Sequence, residues 1–231
     1  MAWLHSVFFL DQNRGWAIGS KGTLLATNDG GKTWQPRQSS TTDVLRDIYF
    51  VDNNNGWLVC EVNFYELKTK DQPRAYLMHT TDGGEKWEQV NIKGVDVDSR
   101  LVRAVFSQGG RGWAFGEAGA IFTTRDNGAT WTRLPSPTRH LLLGGIFIDE
   151  DRGWLVGAGA TIIQTSDGGD TWYQSRLPQS TQAADQVCLR FVCRTTVLVG
   201  PLVAAELSIE QLMVGGPGSH RFPVLPSIST T

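Results

Sequence analysis

Four octapeptides of similar sequence contain the first candidates for a catalytic or ligand-binding group, because each combines an aspartate with a nearby glycine and a tryptophan. They are TNDGGKTW (27–34), TTDGGEKW (80–87), TRDNGATW (124–131) and TSDGGDTW (165–172). Their aspartates are Asp29, Asp82, Asp126 and Asp167, and the tryptophans five residues later are Trp34, Trp87, Trp131 and Trp172. An acidic residue beside glycines is found in phosphate cradles and calcium loops, and also in tight turns between strands.

A second motif precedes each octapeptide and shows that the sequence repeats. FLDQNRGW (9–16), FVDNNNGW (50–57), FSQGGRGW (106–113) and FIDEDRGW (147–154) each place a phenylalanine seven positions before a tryptophan. Trp16 and Trp57 are 41 residues apart, and so are Trp113 and Trp154. Two motifs in register at a period near 40 residues indicate a repeat protein.

Each repeat predicts four short β-strands. In the fourth repeat, LLGGIFID (142–149), GWLVG (153–157), TIIQT (161–165) and TWYQS (171–175) are β-rich runs separated by glycine or aspartate turns. The pattern predicts an all-β fold: a β-propeller, or an open arc, of four-stranded antiparallel blades. We expect four clear repeats plus a degenerate fifth.

Within such a blade, the octapeptide is expected to be a hairpin turn and not a catalytic site. Glycine supplies positive φ, and aspartate accepts hydrogen bonds from backbone N–H groups a few residues on. The tryptophan starts the next strand and folds back over the turn, where burial of ~150 Å² contributes roughly 4 kcal/mol. Asn127 replaces a glycine in one of the four copies, which also weakens a catalytic role.

Composition excludes several classes of function. The formal net charge is −2, which gives no general attraction to nucleic acid. No apolar run approaches the ~20 residues of a membrane span. The three cysteines and four histidines lack metal-ligand spacing, and Asp96 and Asp98 lack the other ligands of a calcium loop. We therefore expect neither a metal nor a cofactor.

The octapeptides match the Asp-box, or BNR, pattern S/T-x-D-x-G-x-T-W. Together with GWAIG (15–19), GWLVC (56–60), GWAFG (112–116) and GWLVG (153–157), they resemble the photosystem II stability/assembly factor family and its bacterial relatives over roughly residues 4–175. The resemblance implies a seven-bladed, non-enzymatic binding scaffold that is exported to the thylakoid lumen, the periplasm or the cell exterior. In an oxygenic phototroph it implies the photosystem II reaction-centre protein as the partner.

The chain departs from that family pattern after residue 178. Residues 1–178 are expected to form the four blades, and residues 179–231 a degenerate fifth repeat, a short helix (201–214) and a disordered tail. The first residues, MAWLHSVFFLD, are expected to form a strand and not an export signal. The sequence leaves closure of the ring and the cellular compartment open.

An Asp-box glycan-binding protein or sialidase-like glycosidase is the alternative function. Sialidase chemistry needs an arginine triad, a tyrosine–glutamate pair and an acidic residue at the propeller centre. Tyr65 and Glu66 are adjacent, and adjacent residues on a strand point to opposite faces. They make a poor pair, and we expect no enzyme.

Arginines mark two faces of the predicted blades. Arg14, Arg111 and Arg152 precede the G-W dipeptides, with Asn55 in repeat two, and they share the face of the Asp-box turns. We expect these three arginines only to solvate the surface. On the opposite face, repeat two carries twelve extra residues, since Trp57 to Asp82 spans 25 positions and not 13.

That insertion is the predicted binding face, because insertions into single repeats often lie where partners bind. It contributes the candidates Tyr65, Lys68, Lys70 and Arg74, and Arg46 and Arg103 begin innermost strands at the same face. Arginines suit an acidic segment or a C-terminal carboxylate of a protein partner. Addition of a partner strand to an exposed sheet edge is the other mode that the sequence allows.

Overall fold

The computed structural model describes residues 2–62, 73–90, 92, 100–107 and 109–175. Blade 1 contains β1 (Leu4–Phe9), β2 (Gly15–Gly19), β3 (Leu24–Thr27) and β4 (Gln35–Arg37), and blade 2 contains β5 (Val44–Phe50), β6 (Gly56–Glu61), β7 (Ala75–Thr80) and β8 (Glu88–Val90). Blade 3 contains β9 (Leu101–Phe106), β10 (Gly112–Gly116), β11 (Ile121–Thr124) and β12 (Thr132–Leu134), and blade 4 contains β13 (Leu142–Phe147), β14 (Gly153–Gly157), β15 (Thr161–Thr165) and β16 (Tyr173–Gln174).

Each blade is a four-stranded antiparallel meander, as the repeats predict. The strands are hydrogen-bonded in chain order within every sheet. The first strands β1, β5, β9 and β13 pack beside one another, and the second strand of each blade also contacts the first strand of the next. First strands therefore lie innermost. The predicted β-propeller arrangement of antiparallel blades is confirmed.

The hydrophobic core lies between blades, because a single sheet cannot cover the side chains on its own faces and needs a neighbouring sheet to bury them. One cluster joins blades 1 and 2, a second joins blades 2 and 3, and a third joins blades 3 and 4. The tryptophans of the G-W dipeptides are central to all three. Trp16 stacks on Phe50 of blade 2 with ring centroids 3.8 Å apart, Trp57 on Phe106 of blade 3 at 4.0 Å, and Trp113 on Phe147 of blade 4 at 3.4 Å.

The glycine before each of these tryptophans is required by close packing. The phenylalanine ring lies directly over it, so that a Cβ on Gly56 would come within 2.5 Å of Phe50, and one on Gly112 within 2.3 Å of Phe106. Such contacts are far shorter than van der Waals distance. The F…G-W motif is therefore one packing unit.

Two features of the strands differ from the sequence prediction. The Asp-box tryptophan ends the turn, and the fourth strand begins one residue later, so that β16 holds only Tyr173–Gln174. Each first strand also carries a register shift near its start, at Arg46 in β5. Bulges of this kind re-aim a side chain, and no residue type in the motif indicates them.

Several predicted features lie outside the described residues. They are the degenerate fifth repeat, the helix at 201–214 and the C-terminal tail. Within the described ranges, no helix is long and apolar enough to cross a membrane.

Candidate functional site

Each Asp-box aspartate accepts hydrogen bonds from residues of its own turn. In the fourth box, Thr165 donates its hydroxyl to Asp167 Oδ1 at 2.8 Å, and the backbone N–H of Thr171 donates to the same oxygen at 2.9 Å. The Gly169 N–H in turn donates to the Thr165 hydroxyl at 2.7 Å. The same pattern of bonds around Asp29, Asp82 and Asp126 recurs in the other three boxes.

Hydrogen bonds of this kind favour the ionised carboxylate. The hydroxyl and the N–H of Thr171 lower the pKa of Asp167 to about 2. Thr33 and Thr130 lower the pKa values of Asp29 and Asp126 in the same way, and the backbone N–H of Lys86 does so for Asp82. A carboxylate held ionised by its own turn is a weak general acid or base near neutral pH.

The glycines have the backbone that the sequence predicts. Gly168 and Gly169 have φ of 69° and 89°. Asn127 takes the place of the first glycine in the third box with φ of 55°, a conformation that asparagine tolerates better than most residues. The substitution therefore leaves the turn intact.

The arginines on the Asp-box face connect neighbouring parts of the blades. Arg14 donates to the Asn53 side chain of the next blade at 2.9 Å, and Arg111 donates to Asp170 of the next blade at 3.1 Å. Arg152 pairs with Asp149 in its own turn. These contacts add a structural role to the solvation that the sequence suggests.

The opposite face gathers arginines around a buried glutamate at the junction of blades 2 and 3. Glu61, the last residue of β6, is 8% exposed. Arg46 donates from Nε to Glu61 at 2.6 Å, while Arg74 and Arg100 approach its other oxygen at 3.7 and 3.4 Å. We call Arg46, Glu61, Arg74, Arg100 and Glu117 the arginine cluster.

Glu117 completes the cluster from the short 3₁₀ helix Glu117–Gly119 that follows β10. Arg100 donates from Nε to Glu117 at 2.6 Å and also pairs with it through NH2. This bond raises the pKa of Arg100 and lowers that of Glu117, so both stay charged. Three guanidinium groups and two carboxylates give the arginine cluster itself one net positive charge.

Arg103 lies on β9 and forms part of a second polar group along the innermost strands. Asp47 of β5 accepts from the Ser6 hydroxyl and from the Ala104 N–H, each at 3.3 Å. Burial raises the pKa of Asp47, and the positive charge of Arg103 opposes that rise. Ser6, Asp47 and Arg103 occupy the same position in blades 1, 2 and 3, three residues before the motif phenylalanine.

The structure brings part of the predicted binding set together. Arg46 and Arg74 meet at the arginine cluster, whereas Arg103 lies beside Asp47 in the neighbouring group. Tyr65, Lys68 and Lys70 lie outside the described residues. Sequence reasoning missed Arg100 and the two glutamates, Glu61 and Glu117, that hold the arginines in place. The one feature of the sequence that could have indicated these three residues is their position, since all of them lie at the ends of strands on the insertion face.

Two tyrosines of the described residues use their hydroxyls in contacts between elements. Tyr49 donates to the Phe106 carbonyl and Tyr76 donates to Asp43, so both hydroxyls serve packing between elements. Within the described ranges, no three acidic, histidine or cysteine side chains are grouped so as to hold a metal ion.

A family model described as "Photosynthesis system II assembly factor YCF48" matches residues 2–59 and 38–142, which together exceed half of the chain. The chain belongs to this family. Among curated YCF48 relatives, the chloroplast photosystem II stability/assembly factor HCF136 of Arabidopsis thaliana is 27% identical over 127 residues, which cover 52% of this chain and 28% of that protein. The photosystem II assembly lipoprotein Ycf48 of Synechococcus sp. (strain CC9902) is 29% identical over 131 residues, covering 54% and 34%. The matches thus span about a third of the length of these relatives.

Solved structures support the fold. A structure described as "YCF48 bound to D1 peptide" superposes with a TM-score of 0.59 at 24% identity, covering 78% of this chain and 55% of that one. An ancestral GH74 enzyme superposes with a TM-score of 0.58 at 13% identity, covering 76% and 24%. At these identities the likeness shows the blade architecture alone.

Proposed function

We propose that this protein is a non-catalytic β-propeller scaffold that binds an acidic or C-terminal carboxylate segment of a protein partner, as an assembly factor of photosystem II. The observation that carries the proposal is the arginine cluster, on the face predicted from the insertion. The partner is the photosystem II reaction-centre protein if the chain comes from an oxygenic phototroph. The relative solved with a D1 peptide supports a peptide ligand.

The charges of the cluster favour an anionic ligand. Glu61 is buried and satisfied by arginines, while the side chain of Arg46 is 34% exposed. Its bond to Glu61 uses Nε, which leaves the terminal nitrogens of the guanidinium to face a ligand carboxylate. The glutamates thus orient the arginines.

The proposed binding set comprises Arg46, Arg74 and Arg103, with Arg100 added from the structure. Tyr65, Lys68 and Lys70 of the insertion belong to it on sequence grounds. Partly exposed arginines attract a ligand carboxylate and also fix its orientation, because a guanidinium and a carboxylate form paired hydrogen bonds. Association is expected to weaken with added salt.

Binding of a D1 peptide tests the proposal. The peptide should bind the full chain, and both amidation of its C-terminus and the substitution Arg46→Gln should weaken binding by about tenfold, the loss of one charge-assisted contact. Arg152→Gln on the Asp-box face is the matched control and should bind normally. Deleting 62–74 should abolish capture with a nearly unchanged melting temperature, because the other blades close without an insertion.

Two results would count against the proposal. One is equal binding by the deletion variant and the intact chain. The other is turnover of fluorogenic sialosides or other glycosides, which would favour the glycosidase alternative.

A further inference from the structure

The first strand of each described blade has a bulge after its first residue, and the bulged residue differs from blade to blade. The register of β1 shifts at His5, and that of β5 shifts at Arg46. Val102 in β9 and Leu143 in β13 hold the equivalent position. A bulge turns its extra side chain away from the regular alternation of the strand. His5 and Arg46 are therefore two basic side chains that adjacent innermost strands re-aim in the same way.

This bulge lies at the insertion face and stays accessible between neighbouring blades. Val44 at the start of β5 pairs with Glu61 at the end of β6, directly before the insertion. Blades 1 and 3 both pack against blade 2, yet the side chain of Arg46 is 34% exposed. The same position on the adjacent strand β1 therefore places His5 on the surface that carries the arginine cluster.

The charges of the arginine cluster act on the His5 imidazole. Burial and the positive charge of Arg46 lower the pKa of His5, and the negative charge of Glu61 opposes this effect. Strand β5 also carries Asp47, which accepts the hydroxyl of Ser6 beside His5. Strand β2 (GWAIG), the other neighbour of β1, carries no titratable side chain. His5 thus borders the arginine cluster from blade 1, with Arg46 as its nearest cationic neighbour in the equivalent bulge.

We propose that His5 is a further ligand-binding residue, whose imidazolium binds a carboxylate of the partner together with Arg46, so that the protein holds its partner more tightly in mild acid. The inference rests on the proposed function and adds to it a residue and a pH dependence. The arginines alone do not supply that dependence, because guanidinium groups stay charged throughout this range. A bound carboxylate also offsets the repulsion between the two cationic groups, since it accepts hydrogen bonds from both.

The direction of the pH dependence follows from these charges. In the free protein, burial and Arg46 favour the neutral imidazole of His5. A carboxylate beside the ring raises the pKa of His5, and binding therefore takes up a proton. The dissociation constant should fall about three- to tenfold from about pH 7.5 to about pH 5.5, since a shift of one pKa unit corresponds to a factor of ten. Both pH values lie above the range in which a peptide carboxylate is protonated.

Calorimetric titration of the full chain with the D1 peptide at both pH values tests the proposal. His5→Gln should bind as the wild type does at the higher pH and should lose the gain at the lower pH. His5→Lys keeps a positive charge at both pH values and should bind tightly at both, which a merely structural role of His5 would not produce. The matched control is His140→Gln, at an exposed histidine whose ring bonds to Thr161 of its own blade, and it should keep the wild-type pH dependence.

Titration of the His5 ring, followed by nuclear magnetic resonance, tests its place beside Arg46 without any ligand. Arg46→Gln should raise the pKa of His5 in the free protein, because a nearby positive charge is removed. The D1 peptide should raise it in the wild type. Arg152→Gln, on the Asp-box face, is the control and should leave the pKa of His5 unchanged. Amidation of the peptide separates the two sources of carboxylate: loss of the gain in acid supports binding of the C-terminus, and its retention supports binding of an acidic side chain.

The outcomes separate this inference from the proposed function. Peptide binding with the same pH dependence in the wild type and in His5→Gln would overturn the role of His5 and leave the proposed function standing. A pKa of His5 that Arg46→Gln does not change would overturn that role as well. Absence of peptide binding at both pH values would reject the proposed function together with the inference.

Discussion

At the scale of single residues, the Asp-box aspartate is fully used by its own turn. In the first, third and fourth boxes Oδ1 accepts a hydroxyl and a backbone N–H, while Oδ2 accepts the hydroxyl of the threonine before the tryptophan. These bonds require the ionised carboxylate. The residue that first suggests catalysis is thereby a source of stability that depends on pH.

The fourth box makes that dependence measurable. The pKa of Asp167 is about 2 in the folded protein against 3.8 in the unfolded chain. A lowered folded-state pKa stabilises the fold above the unfolded value, and this stabilisation is lost as pH falls through the folded value. Asp167→Asn should lower the melting temperature at pH 7, and its difference from wild type should shrink between about pH 4 and pH 2.

The control for this profile is Asp151→Asn. Asp151 binds the same turn through its backbone carbonyl, which accepts the Gly168 N–H at 2.7 Å. Its substitution should shift the melting temperature little at either pH. A difference between Asp167→Asn and wild type that stays constant down to pH 2 would contradict the role given to the carboxylate.

At the scale of elements, stability lies in the aromatic contacts between blades. Phe147 is stacked face to face on Trp113 and met edge-on by Trp172 at 6.0 Å, so that one ring joins a strand, a turn and the preceding blade. Aromatic pairs in these geometries contribute beyond their buried area. The short outer strands add little by comparison, since their residues are mostly exposed.

Removal of one ring from such a contact should be costly. Trp172→Ala should lower the free energy of unfolding by about 3–5 kcal/mol. Trp34→Ala, in the half-buried first box, should cost clearly less. Chemical denaturation of both variants measures the difference, and an unchanged unfolding curve for Trp172→Ala would reject the role of the tryptophan as a staple.

At the scale of the whole molecule, the repeats could be predicted from sequence, whereas for the arginine cluster the sequence indicated Arg46 and Arg74 but not the contacts that join them. The Asp-box turn and the F…G-W unit each depend on residues that lie within about eight positions of one another. Both motifs recur in each blade, so a comparison of the four copies reveals them. The cluster joins residues that the repeat does not share, such as Arg46 with Glu61 and Glu61 with Arg100 in the next blade. Their proximity depends on blade packing and on the bulge at Arg46, which leave no periodic signal.

The first strand leads to a prediction for local dynamics. Strand β1 pairs with β2 much as β5 pairs with β6, but Leu4 of β1 is 57% exposed, whereas Leu45 at the same position of β5 is 0% exposed. Local opening is easiest where apolar contacts are few. Hydrogen exchange measured by mass spectrometry should therefore be faster in β1 than in β5 or β9. Exchange in β1 as slow as in β5 would contradict the link between this exposure and local stability.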